Sequence, residues 1–355
     1  MKNSHPFTEI SNYVPLDSAA TRLYYSLREA VPLIDAAILK TVRLTGGFTV
    51  KCKNKSTEKA LNEILSEIPV GGNRQGIYSF VESYFEQLLT VGTAVGEIVT
   101  DTKGNPAALF NSPLENVEFK RSENGFDIDI FVTDGINRKK VERPDLCLVS
   151  VLNPAPGEIR GSSLLKGLPF ITDILLKIYE SIGVNWERAG NIRYAVTYNP
   201  GSAPLDRAYS ADRAQAIADE WSKAMRSSEV RDFVAVGDVQ IKVIGADSHI
   251  LDSEIPVRQM LEQITAKTGI PPFMLGLSWS TTERMSSQQA DALTSELEAY
   301  RRILTPVILR ICKAILRGMG INDSPEVIWD DITLQDELEM SKAALYRAQA
   351  EKLVG

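Results

Sequence analysis

Apolar residues first recur along this chain at helical spacing. Leu23, Leu27, Ile34 and Ile38 predict one helix over 18–44, with a kink at Pro32. Gly46-Gly47 should end it, and residues 48–53 then alternate like a short strand. A second amphipathic helix is expected over 57–68, capped by Ser56 or Thr57. After the turn residues Gly71-Gly72-Asn73, the spacing of Ile77, Val81, Tyr84 and Leu88 predicts a third helix over 75–91.

From Gly92 the period drops to two. Strands are expected at 94–100, 107–110, 117–120, 126–132 and 146–151, separated by the turn signals Lys103-Gly104-Asn105-Pro106, Asn124-Gly125 and Asp134-Gly135. Together they predict one mostly antiparallel sheet lying on the preceding helices, an α+β arrangement. The loop Asn153-Pro154-Ala155-Pro156-Gly157 marks a boundary. Helical spacing returns with Leu164, Leu168, Ile171, Leu175, Ile178, Ile182 and Trp186, and Pro169 fits only if the regular helix begins near it.

Residues 191–247 read as a separate small module: a strand at 194–198, a helix at 211–226, and strands at 233–236 and 239–244 joined at Gly237-Asp238. A second long helix is expected over 248–268, bent or delayed by Pro256 and stopped by Gly269-Ile270-Pro271-Pro272. A polar segment, 277–287, leads to a third long helix over 286–318. Its stripe is Leu293, Leu297, Tyr300, Leu304, Val307 and Ile311, and Pro306 is a candidate kink. A strand at 326–329 and a charged helical tail complete the chain.

Composition narrows the function. With 44% hydrophobic and 24% charged residues among 355, the chain is expected to bury a core. It carries 39 basic and 46 acidic side chains, a net charge of −7, whereas tight phosphate binding calls for a basic excess. If DNA is involved, it is handled rather than held. The scattered Cys52, Cys147 and Cys312 form neither a disulfide framework nor a zinc pattern, and read as three buried thiols in a reducing compartment. No apolar leader opens the chain, and the most apolar run, 303–316, is interrupted by Arg310 and Lys313. A cytoplasmic, non-membrane protein is therefore expected.

Candidate chemistry is thin. The two histidines, His5 and His249, lie in no metal-ligand spacing, and no phosphate loop, dinucleotide fingerprint or nucleophile elbow appears. Gly92, Gly96 and Gly104 read as turn and packing positions. Asp127 with Asp129, on one strand face, could in principle hold a cation, although a solvated face is the simpler reading. Neither a cofactor nor a metal is expected, and the weight moves to a structural or binding role.

Several passages occur in an order that resembles the portal proteins of tailed phages, of the HK97-like and SPP1-like kind, over about 88–318. Gly92-Thr93-Ala94-Val95-Gly96-Glu97-Ile98, then Gly104-Asn105-Pro106, then Ser112-Pro113 is similar to the family's wing passage. Gly161-Ser162-Ser163-Leu164-Leu165 is similar to the lead-in of its first stem helix. Gly269-Ile270-Pro271-Pro272-Phe273-Met274-Leu275-Gly276 resembles its Gly-Val-Pro-Pro-x-x-Leu-Gly segment, with Ile270 in place of valine. Ser287-Gln288-Gln289 and Leu304-Thr305-Pro306 resemble its Asn-x-Glu-Gln and Leu-x-Pro, with Gln288 in place of the acidic residue.

The resemblance implies an elongated portal-type subunit. It would have an α/β wing (1–160, resumed at 288–335), a helical stem (161–190 and 248–272), a small α/β clip (191–247), a tunnel loop (273–287), a long C-terminal helix and the start of a crown (336–355). It implies no catalytic activity, and a dodecameric ring at the capsid vertex of the virion, assembled in the host cytoplasm. Double-stranded DNA would pass through that ring during packaging and ejection. The implied partners are the terminase large subunit, major capsid and scaffold proteins, and a head-tail adaptor. Tunnel-loop candidates are Ser278, Trp279, Ser280, Thr281, Thr282, Glu283 and Arg284, although Trp279 could simply anchor the loop. Clip docking candidates are Arg207, Arg213, Lys223, Arg226 and Arg231, which could equally form a solvated helix face. The competing readings are a metal-dependent hydrolase using Asp330 and Asp331, and a protein-binding adaptor without a DNA channel.

Overall fold

The computed structural model describes residues 19–122, 127–133, 138–190, 193–199, 207–226, 238–244, 253–277 and 283–332. The chain divides into two compact units, Met1–Asp173 with Gln259–Gly355, and Ile174–Arg258. It is an α+β protein.

The first unit opens with two helices where the hydrophobic period suggested one. These are α1 (Ala19–Ala30) and α2 (Pro32–Leu44), and Val31 between them is extended at φ −123° and ψ 94°. A residue before proline is pushed out of the helical region, so Pro32 starts a new helix instead of kinking an old one. Strand β1 (Phe48–Lys51) follows, then α3 (Lys55–Glu67). The cap of α3 is Asn54, whose Oδ1 accepts from the Ser56 N–H at 2.9 Å, while Thr57 is buried. The caps expected at Ser56 or Thr57 are thus displaced by a residue just ahead of them.

A short hairpin, β2 (Pro69–Val70) and β3 (Arg74–Gln75), leads into α4 (Ile77–Val91). Helix α4 buries Ile77, Phe80, Val81, Tyr84, Phe85, Leu88 and Leu89, a face with the spacing read from sequence. It ends at Gly92, a left-handed cap at φ 86°.

The strands that follow form two sheets rather than one. β4 (Thr93–Thr100), β5 (Pro106–Asn111) and β9 (Cys147–Val151) join the hairpin in the order β3-β2-β5-β4-β9, with β2 parallel to β5. β6 (Val117–Arg121), β7 (Ile128–Thr133) and β8 (Arg138–Lys140) form a separate antiparallel sheet. The chain leaves the first sheet at Ser112-Pro113 through a 3₁₀ turn at Leu114–Asn116. The Gln87 side chain holds that exit, donating to the Ser112 carbonyl and accepting from the Val95 N–H, each at 3.0 Å. The second sheet buries Val117, Phe119 and Ile130 against Val95 and Leu114.

Helix α7 (Glu254–Thr268) begins in the second unit and runs into the first, where the chain continues through a 3₁₀ turn (Pro272–Leu275) to α8 (Glu283–Gly318) and β12 (Glu326–Trp329). Pro256 falls in the first turn of α7, where its missing N–H costs nothing. The apolar run of 303–316 lies on α8 and buries Leu304, Ile308, Ile311, Cys312, Ile315 and Leu316. Among the described residues no helix is long and apolar enough to cross a membrane. β12 pairs antiparallel with β1, Phe48 opposite Trp329, which ties the two ends of the unit together.

Arg301 locks the same corner from within. It is 4% exposed, donates to the Thr45 carbonyl through Nε and Nη2 and to the Asp330 carbonyl through Nη2, and its guanidinium lies 5.1 Å from the Trp329 ring centroid. Of the three cysteines, Cys52 and Cys312 are buried and Cys147 is half-buried, so the expectation of three buried thiols holds for two. Burial, with Cys52 nearby, pushes the Cys312 thiol up to about 12.

In the second unit β10 (Arg193–Tyr198) pairs antiparallel with β11 (Val239–Ile244), and helix α6 (Ser210–Arg226) touches β10. The strand expected at 233–236 lies outside the described residues. Helix α5 (Leu168–Gly190) begins in the first unit and runs into the second. Its start at Leu168 places Pro169 in the first turn, as that proline requires.

Candidate functional site: the root and open face of a long helix

Two of the passages singled out in sequence, Gly92-Thr93 and Gly161-Ser162-Ser163, meet in space just ahead of α5. The backbones cross with no room between them. A Cβ at Gly92 would lie 2.5 Å from Ser162 C and Ser163 N, and one at Gly161 would run into the Gly92 carbonyl oxygen and the Leu152 backbone. Gly92 also needs its positive φ of 86°, so both close approach and conformation demand glycine there.

Hydrogen bonds close the crossing on every side. The Leu152 N–H donates to the Gly92 carbonyl at 2.8 Å, Ser162 N to Leu152 O at 2.6 Å, and Leu164 N to Leu89 O at 3.0 Å. Thr93 Oγ1 accepts from the Gly161 N–H at 3.1 Å. Ser163 Oγ donates to the Thr90 carbonyl at 2.7 Å and accepts from the Leu165 N–H at 2.9 Å. Buried backbone groups left unpaired are costly, so the strand ends, the cap of α4 and the root of α5 are held as one piece. Sequence reading flagged the glycines but missed Thr90, Thr93 and Ser163 as their braces. A hydroxyl beside glycine at two distant places was the available signal.

Beyond the root, α5 loses its cover. Leu165, Leu168, Thr172 and Leu175 are buried. The same line continues through Tyr179, Ile182 and Trp186 at alternating steps of four and three, yet Tyr179 is 45% and Trp186 64% exposed. Leu176 and Val184 are exposed as well. Steps of four and three are the spacing of a seam that packs against another helix.

Of the tunnel-loop candidates, Ser278, Trp279, Ser280, Thr281 and Thr282 lie outside the described residues. Glu283 and Arg284 are the first two residues of α8, one turn earlier than the helix was expected, and so belong to helix rather than loop. Ile270 is buried with Ala37, Leu293 and Leu297, Leu277 N donates to Pro272 O at 3.0 Å, and Gly276 closes the 3₁₀ turn at φ 78°.

The clip candidates are only partly brought together. Arg207 and Arg213 are exposed, and Arg213 Nη1 donates to the Tyr198 hydroxyl at 3.1 Å. Lys223 pairs with Glu220 at 2.9 Å, and that partner raises its pKa. Arg213 and Lys223 stand about 80° apart around α6 at 100° per residue. Arg226 is the last residue of α6, with its side chain outside the described set, as is all of Arg231.

Of the acidic pairs, one carboxylate is held in an ion pair and one residue is fixed through its backbone. Asp129 pairs with Lys140 at 2.8 Å, and the backbone of Asp330 bonds to Gly47 and Arg301. Among the described residues no group of three His, Cys, Asp or Glu is placed to hold a metal ion. A groove of about 660 Å³ runs beside α1, α2 and α4, and its Arg28 is tied to Asp35 at 2.6 Å and Glu86 at 2.7 Å.

No protein-family model matches the sequence, and comparison with curated proteins finds no relative. Solved structures do match. A chain from the virion of a native gene transfer agent (GTA) particle aligns at TM-score 0.68 and 14% identity, covering 95% of this chain and 90% of that one. A chain from the neck of the native GTA particle, computed with C12 symmetry, aligns at TM-score 0.61 and 16% identity over 90% and 89%. An HK97 family phage portal protein from Corynebacterium diphtheriae aligns over 84% of this chain and 92% of that one at 14% identity, with a TM-score of 0.44, too low to bear on the fold. At such identities the GTA likenesses establish a shared fold across nearly the whole of both chains.

Proposed function

We propose that this chain is one subunit of a portal-type ring, a closed assembly of about twelve copies at a particle vertex through which double-stranded DNA enters and leaves. The observation that carries this reading is the open seam of α5. Tyr179 and Trp186 continue a buried line of side chains into solvent, and apolar surface of that kind calls for a partner. A head-to-tail contact between identical copies closes into a ring when its rotation divides a full turn. The GTA neck chain with the same fold belongs to a structure computed with C12 symmetry, which supports twelve copies. The net charge of −7 suits a wall that passes a polyanion without gripping it.

In this reading the ring is a structural component of the virion, assembled in the host cytoplasm, with no catalysis of its own. Residues 278–282 are the loop that meets the moving duplex. Residues 191–247 are the clip, docking the terminase large subunit during packaging and the head-tail adaptor afterwards. Capsid and scaffold proteins contact the rest.

Negative-stain electron microscopy of the purified chain tests the proposal. The expected result is rings of about twelve subunits around a bore that clears a duplex of about 20 Å. A uniform monomer or dimer, or rings with a bore too narrow for a duplex, would overturn it.

A further inference from the structure

Five cations and no carboxylate occupy residues 299–320, the second half of α8 and the turn beyond it. In a chain of net charge −7 that is a local reversal of sign. One of the five, Arg301, is buried in the corner described above. The other four, Arg302, Arg310, Lys313 and Arg317, are exposed. At 100° and 1.5 Å per residue they fall within an arc of about 80° and run for about 22 Å along the helix. Leu304, Ile308, Ile311 and Ile315 are buried on the opposite side, which turns the cationic arc to solvent.

Charged faces commonly neutralise themselves, as α3 does with Lys55 on Glu58 and Lys59 on Glu63. The arc on α8 does not. Among the described residues no carboxylate forms an ion pair with Arg302, Arg310, Lys313 or Arg317. Glu298 is taken by Arg301 and Asp145 by Arg143. Asp101, in the loop that meets Gly318, accepts from the N–H groups of Lys103 and Asn105. Arg310 donates to the carbonyl oxygens of Asp145 and Pro144, which orient its guanidinium without cancelling the charge. The helix dipole accounts for a cation in the last turn, Arg317, but not for those in earlier turns.

The ligand follows from what the arc lacks. None of the large exposed apolar side chains lies between residues 302 and 318, whereas protein partners are gripped chiefly through apolar and aromatic anchors. Unpaired cations without an anchor suit phosphate. Duplex DNA carries one charge per about 1.7 Å of its axis, so a straight stripe of this length lies beside enough phosphates for every cation. Exposed charges more than about 10 Å away are screened at ordinary salt, so the acidic excess elsewhere does not cancel the contact.

We propose that the exposed face of α8 from Arg302 to Arg317 is a docking strip for the phosphate backbone of duplex DNA. Its contacts carry no base specificity. The inference takes its ligand from the DNA reading above but does not need the ring, because the whole strip lies in the first unit.

The test is fluorescence anisotropy of a short labelled duplex with the full chain across a range of salt. It compares the wild type with Lys313→Gln/Arg317→Gln and with Lys55→Gln/Lys59→Gln. The control removes the same charge from exposed lysines that already have acidic partners. The logarithm of the wild-type binding constant is expected to fall linearly with the logarithm of salt. Losing two phosphate contacts should flatten that slope by about 1.8 in the α8 variant, and the control should keep the wild-type slope. An unchanged slope in the α8 variant, equal flattening in the control, or no binding by the wild type at low salt would overturn the proposal. So would binding of labelled polyglutamate in place of the duplex, which would assign the strip to an acidic protein. Rings seen by microscopy without strip-dependent binding would overturn this inference alone, and strip-dependent binding without rings would overturn the ring alone.

Discussion

At single positions this fold depends on residues that either have no side chain or have every polar atom committed. Gly96 is the first kind: a Cβ there would sit 2.6 Å from Cζ of the fully buried Phe80 ring. Gly96→Ala is expected to cost about 1–3 kcal/mol through overpacking, read as a lower urea midpoint at constant m-value. Asp323 is the second kind. Its carboxylate accepts from the backbone N–H groups of Ser324, Asn54 and Lys53 at 2.7, 3.2 and 3.3 Å. Those bonds, Ser324 first, hold its pKa below the ordinary 3.8. A depressed carboxylate pKa adds stability above the unfolded value, and that stability is lost as pH falls through the folded one. Asp323→Asn is thus expected to be less stable than wild type near neutral pH. The gap should close once the solution is more acid than the folded pKa of Asp323, as followed by urea unfolding across the acid range. A constant gap would show that the carboxylate charge is not what these N–H groups require.

Among the elements, periodicity revealed the long helices well and the small strands unevenly. The face of α4 was legible because seven apolar residues repeat at one period over fifteen positions. Strand β8 was not, because Arg138, Lys139 and Lys140 are all exposed and no alternation marks them. The break between α1 and α2 was visible as Pro32 but misjudged as a kink, since the pre-proline residue and not the proline leaves the helix. Pairing of β1 with β12 joins positions far apart in sequence and buries Phe48 against Tyr78 and Trp329, with ring centroids at 4.9 and 5.1 Å. Phe48→Ala is expected to cost about 3–5 kcal/mol by urea unfolding. In hydrogen exchange, the β1 and β12 amides should lose protection together. Independent loss in the two strands would mean that the aromatic cluster does not couple them.

For the molecule as a whole, the exposed face of α5 lets folding and the proposed assembly be tested apart. Trp186 is 64% exposed, so Trp186→Ser removes little buried surface from the isolated chain. Its thermal midpoint as a monomer is expected to stay within experimental error of wild type, while rings disappear or their formation shifts to higher protein concentration in sedimentation velocity. Unimpaired rings in this variant would move the interface away from the α5 face. The clip candidates belong at this scale too. Arg213 and Lys223 were read from sequence as exposed candidates on one helix; both are exposed on α6, where Arg213 donates to the Tyr198 hydroxyl and Lys223 pairs with Glu220. Sequence spacing could show that both lie on one helix, but not that the Tyr198 hydroxyl would meet Arg213.

The sequence by itself determined the helices and most strands, the absence of a metal or phosphate motif, and the order of passages that resembles a portal subunit. Those features are local: they follow from periodicity, from proline and glycine, and from residue types at short spacing. Only the tertiary structure decided that the strands split into two sheets, that Arg301 is buried against Thr45 and Asp330, and that Gly92 and Gly161 cross at the root of α5. Each of these joins residues tens or hundreds of positions apart, and nothing in the periodicity of one segment specifies which distant segment it will touch. The open seam of α5 belongs to both. Its apolar line was written in the sequence, but the exposure of Tyr179 and Trp186 in its outer half is a property of packing, and that exposed half is the surface to which the proposed ring would give a partner.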